Sequence, residues 1–136
     1  MSSEIALTSS VAILQLVSTA DSIRSEYETV VHEWLPDAPP LTIVFSTIGR
    51  GLCCYAPRAS GHDLSAIGKI IENIFVYGES PVKNAVATGL LEAVLGEASA
   101  GRFDMELLSK HFGPKTMDYC IEWDKFTGCQ TKGIVS

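Results

Sequence analysis

The chain has 136 residues, enough for one domain with a real core, and its hydrophobic content of 46% is ordinary for a globular protein. Sixteen acidic residues against ten basic ones give a formal charge of −6, which disfavours nucleic acid and anionic membranes as partners. Four cysteines (Cys53, Cys54, Cys120, Cys129) lack paired metal-ligand spacing, so they read as reduced thiols of a cytosolic protein.

In chain order, residues 1–8 are expected to be loose. The apolar run 11–17 contains Gln15 and follows Glu4 with no preceding Lys or Arg, unlike a secretory signal. No apolar run reaches the roughly 20 residues of a membrane span. A short helix over 9–19 turns Val11, Leu14 and Val17 inward. Asp21 caps a stronger helix that buries Ile23, Tyr27, Val30, Val31 and Trp34 and exposes Arg24, Glu26, Glu28 and Glu33. The run PDAPP stops it.

The segment 41–55 is ambiguous. LTIVFSTIG alternates and is rich in β-branched residues, which favours a strand. Leu41, Val44, Phe45, Ile48 and Leu52 also fit one helical face, and Pro40 suits a helix start. A lone strand cannot satisfy its own backbone, so the helix is the expectation.

The stretch 63–96 predicts a central antiparallel helical hairpin. Asp63 caps its first helix, in which Leu64, Ile67, Ile71, Ile74 and Phe75 line one face. Gly78 supplies a left-handed stop. Ser80 caps the second helix, with Pro81 at its first position. Val82, Ala85, Val86, Gly89, Leu90, Ala93 and Val94 form one apolar face, and Ala87, Leu91 and Leu95 a second. A helix apolar on two sides is sandwiched between neighbours. A short helix follows over 103–112 with Phe103, Leu107 and Leu108 inward. Gly113 and Pro114 start the last helix, which turns Met117, Cys120, Ile121 and Phe126 inward and ends at Gly128; 130–136 is a loose tail. The fold class is therefore all-α: a single-domain bundle of six to seven helices around the hairpin 63–96.

No catalytic constellation emerges. His32, His62 and His111 lie on three separate elements without a ligand or carboxylate at motif spacing, so helix-end or surface histidines are the plain reading. Cys53 and Cys54 have no base placed beside them by any local signature. A Cys-dependent hydrolase using either with His62 stays a distant alternative to buried structural thiols. The glycines of TIGRGL do not form a dinucleotide fingerprint. Glu72 and Glu92 sit on the hairpin, where they can pair with Lys69 or cap loops. No pattern calls for a metal or a cofactor.

One local imbalance stands out. Between positions 21 and 37 five carboxylates (Asp21, Glu26, Glu28, Glu33, Asp37) face Arg24 alone. A solvated helix face accounts for this in most proteins; a docking surface for a basic protein is the functional alternative. On that reading Tyr27 and Trp34 are aromatic anchors beside Glu26, Glu28, Glu33 and Asp37. Asp118, Glu122 and Asp124 on the last helix form a second candidate set.

Three pieces carry a resemblance: IIENIFVYGESPVKNAVATGLLEAV, the FGPKT segment at 112–116, and IEWDKFTG. With them, the span 63–128 resembles an uncharacterised bacterial all-helical family, some of whose members are encoded as immunity partners of polymorphic or contact-dependent toxins. Gly78, Glu79, Val82, Lys83, Asn84 and Glu92 match the family's pattern. The resemblance implies a cytoplasmic, non-enzymatic protein that binds a cognate toxin and occludes its active or target-binding surface. A helical adaptor or regulatory module with another protein partner is the alternative.

Overall fold

Prolines and glycines divide the chain into short helical rods. A computed structural model describes residues 6–134. Their order is α1 (Ser9–Val17), α2 (Asp21–Trp34), α3 (Leu41–Tyr55), a 3-10 turn (Ala56–Arg58), α4 (Gly61–Tyr77), α5 (Ser80–Ala85), a π-helical turn (Val86–Leu91), α6 (Glu92–Ser99), α7 (Glu106–Ser109) and α8 (Pro114–Thr127). Among the described residues there is no strand, and the fold is an all-α bundle. The segment 41–55 is helical: α3 starts directly after Pro40 and buries Val44, Phe45, Ile48 and Leu52.

The helix 80–99 lies at the centre. It runs without a break through the π turn, and Val82, Leu90, Leu91, Val94 and Leu95 are fully buried. Leu91 and Leu95 confirm that both of its apolar faces are covered. Its closest companion is α3, although α4 precedes it in the chain. Two glycines make that approach possible. A Cβ on Gly49 would stand 2.7 Å from the Leu90 carbonyl oxygen, and one on Gly89 would stand 2.8 Å from that of Thr42. Backbone therefore meets backbone at both points. The pairing of Thr42 and Phe45 with Gly89, and of Gly49 with Leu90 and Ala93, makes the two helices run in the same direction.

Several local expectations are corrected. In α1 the buried residues are Ala12, Leu16 and Val17, whereas Val11 and Leu14 face outward. The short apolar run offers two faces, and the neighbours cover the one centred on Ala12 and Leu16. Asp21 is the first residue of α2 and pairs with Arg24 at 3.0 Å; Ala20 holds the cap position. The α4 cap is Ser60, whose hydroxyl accepts from the Asp63 N–H at 3.1 Å. Asp63 instead accepts from the Tyr55 hydroxyl at 2.9 Å. Gly78 ends α4 in an extended conformation, φ −71° and ψ 151°, and Glu79 holds the α5 cap position. Only four residues of 103–112 form α7, and Met105 fills the buried site beside Leu108. Phe126 is 91% exposed. By contrast, α8 starts at Pro114 and ends at left-handed Gly128 as expected.

The two chain ends behave differently from loose segments where they are described. Leu7 donates its N–H to the Tyr77 carbonyl and accepts from the Glu79 N–H, joining the start of α1 to the α4–α5 link. Thr131 donates its N–H and hydroxyl to the Asp124 carboxylate at 2.9 and 2.7 Å, and Ile134 packs on the core. Of the segments expected to be loose, 1–8 and 130–136, residues 1–5 and 135–136 lie outside the described residues.

Candidate functional site

Helix α2 is amphipathic, and its buried stripe is short: Ile23 and Val30 are fully covered, Tyr27 and Val31 only half-buried. Tyr27 and Val31 stop short of full burial because a groove opens beside them. Its walls include Ile13 of α1, Tyr27 and Val31 of α2, Leu35 and Asp37 of the connecting loop, and Leu41 of α3. The groove encloses about 410 Å³, within the roughly 300–1,000 Å³ typical of ligand sites. Pro36 and Pro39 of PDAPP line its rim, and Leu35 is 60% exposed there.

The structure brings only part of the predicted acidic set to this groove. Successive helical residues are about 100° apart, so Glu26 and Glu33 share one flank of α2 while Glu28 lies on the opposite flank, next to Tyr27, Val31 and Leu35. The Glu26 methylenes lie over Gly51 of α3. Asp37 stands among the groove walls. Trp34 is 40% exposed and outside the lining. Among the described residues, none of Glu26, Glu28, Glu33 and Asp37 has an ion-pair partner, and the one cation of α2, Arg24, is engaged by Asp21. The groove itself was missed in the sequence; half-filled positions facing a proline-bound loop were the available signal.

The second candidate set on α8 is largely occupied. Asp124 holds Thr131, Glu122 pairs with Lys125 at 3.3 Å, and only Asp118 is exposed without a partner among the described residues. The hairpin carboxylates are occupied as well. Glu92 accepts from the Tyr119 hydroxyl at 2.6 Å, and Glu72 caps α8 from a distance, accepting the Lys115 and Thr116 N–H groups.

Of the Cys53–Cys54 pair expected to be buried, Cys53 is partly buried, whereas Cys54 is exposed because it falls on the outer face of α3. Burial, with the nearby charges of Glu97 and Cys54, pushes the Cys53 thiol up to about 12, and burial pushes Cys120 up to about 12. Nucleophilic attack needs the thiolate, so Cys53 is poorly suited to it at neutral pH. His62 and His32 are exposed, whereas the His111 Nε2 is buried with no hydrogen-bond partner among the described residues. Site-resolved iodoacetamide labelling at pH 7.5 is expected to modify Cys53 at least about tenfold more slowly than exposed Cys54. Equal rates would return Cys53 to the list of reactive groups. Among the described residues no cluster of His, Cys, Asp or Glu is arranged to hold a metal ion, and no helix is long and apolar enough to cross a membrane.

Compared with protein-family models, with curated proteins and with solved structures, the chain finds no match.

Proposed function

We propose that the protein is an immunity-type inhibitor that binds a cognate bacterial toxin through the face built by α2 and the loop 36–40 and occludes the toxin's active or target-binding surface. The observation that carries this reading is the set of α2 and loop carboxylates (Glu26, Glu28, Glu33, Asp37) that have no ion-pair partner among the described residues, with Asp37 and Glu28 on the side where a groove leaves Tyr27 and Val31 incompletely covered. A toxin that acts on nucleic acid is basic where it holds phosphate, and an inhibitor covering that cleft presents carboxylates in return. The resemblance of 63–128 to a family containing immunity proteins supports the inhibitory role and a cytoplasmic site of action.

Glu26, Glu28 and Glu33 are exposed, so replacing all three with Gln removes charge while nearly preserving size. Where a toxin gene adjoins this one, wild-type protein is expected to abolish that toxin's activity at stoichiometric ratio. The triple variant is expected to associate on the order of tenfold more slowly at low ionic strength, with a weaker salt dependence. Stopped-flow association over a salt series checks this. Unchanged rates at every salt concentration would leave these glutamates as a solvated face. Binding without inhibition would turn the protein into a helical adaptor.

A further inference from the structure

The groove beside α2 has a definite chemistry, and it is not that of a plain apolar face. Its walls include the apolar side chains of Ile13, Val31 and Leu41, and the partly exposed Tyr27 lines it as well. Asp37 breaks that pattern within the wall itself, and Glu28 flanks it on the adjoining face of α2. Neither carboxylate has a cationic partner among the described residues. Arg24 is turned to Asp21, and the next basic residue along the chain is Arg50, near the far end of α3 from Leu41.

We infer that this groove receives one apolar, preferably aromatic, side chain of a partner segment in which that residue is flanked by Arg or Lys. The inference rests on the reading that the α2 face docks a basic protein, and it assigns the groove a place in that docking. The anchor displaces water from Val31, Leu35 and Leu41, which is where a small interface gains affinity. The flanking cation meets Asp37 or Glu28, which fixes orientation and excludes acidic segments. A guanidinium suits the task better than an ammonium, because it can bind a carboxylate through two parallel hydrogen bonds and also lie on the Tyr27 ring.

The probe is a blocked peptide of sequence Gly-Arg-Trp-Arg-Gly, titrated into labelled protein and followed by amide and methyl NMR shifts. Saturable shifts are expected to centre on Ile13, Val31, Leu35 and Leu41. Replacing the peptide's Trp with Ala is expected to weaken binding by about tenfold or more, and replacing its Arg residues with Glu to abolish it. Leu35→Arg changes a side chain that is already 60% exposed, so folding is retained while the titration is silenced. Asp37→Asn is expected to weaken binding several-fold. The inference is overturned if the shifts lie elsewhere, or if the Glu-flanked peptide binds as well. It is also overturned if sedimentation shows a dimer that Leu35→Arg dissolves, since the occupant would then be a second copy. The two readings fail separately. Peptide binding without toxin inhibition removes the immunity role and keeps the groove assignment; normal toxin binding by Leu35→Arg does the reverse.

Discussion

Leu90→Ala is expected to lower the free energy of unfolding by about 2–5 kcal/mol, the range for large-to-small changes in a packed core. Leu90 is 0% exposed and sits where the central helix meets α3. The lost methyl groups forfeit their burial, and the size of the remaining penalty depends on how far the site collapses. Collapse is restricted here. The Leu90 carbonyl already lies against Gly49, and Gly89 lies against the Thr42 carbonyl, so the two backbones have little room to close further. A value in the upper half of the range is therefore expected. Urea melts with a constant m-value check it. A loss under about 0.5 kcal/mol, the size of a surface effect, would contradict the packing described for the central helix.

That contact shows where sequence reading stops. The inward face of 80–99 was legible because helical period, a serine–proline start and two apolar stripes agree. The helical state of 41–55 followed from the lack of any partner strand. What packs on what was not legible. A glycine announces that something approaches closely and does not say what, so Gly49 and Gly89 gave no hint of each other. The chain neighbours α4 and α5 were the natural pair, yet α3 supplies the main packing face. The π turn at Val86–Leu91 leaves no compositional mark, and it helps keep Val86, Ala87, Gly89, Leu90 and Leu91 all buried.

The acidic face was legible only as a count. Composition put Glu26, Glu28 and Glu33 together, while helix geometry places Glu28 opposite the other two. Asp37 gains its meaning from the groove, and the groove exists only once α1, α2 and α3 are assembled. The role of Tyr27 as a wall residue was partly visible from its place on the apolar stripe. Trp34, which looked equivalent by spacing, lies past the groove at the end of α2.

Glu72→Ala is expected to cost about 2–3 kcal/mol, a large effect for a carboxylate that is only partly covered. The cap position of α8 is held by Gly113, which has no side chain to cap with, and the helix starts at Pro114. The first free N–H groups therefore need an acceptor from elsewhere. Glu72 of α4 provides it: its Oε2 accepts from the Lys115 N–H at 3.0 Å, and its Oε1 accepts from the Thr116 N–H at 2.9 Å and from the Thr116 hydroxyl at 2.8 Å. Gly113 is needed for this reach, because a Cβ there would lie 2.5 Å from the Glu72 Cδ. Hydrogen bonds to a charged group contribute about 1.5–3 kcal/mol each, and they are neither additive nor unscreened at a half-open site, which keeps the total near a single bond's upper value. Burial by itself would raise the Glu72 pKa, but the hydrogen bonds from Thr116 and Lys115 outweigh it and hold the carboxyl below its ordinary 4.5. The folded value is thus depressed, so its stabilisation is fully present above pH 4.5 and is lost as pH falls through the lower folded value. Glu72→Gln retains one acceptor and removes the titration. Its deficit relative to wild type is expected to be largest near neutral pH and to shrink as both proteins are taken below pH 4 in denaturant melts. A deficit that stays constant from pH 7 down to pH 3 would show that the carboxylate charge contributes nothing to holding α8 on α4.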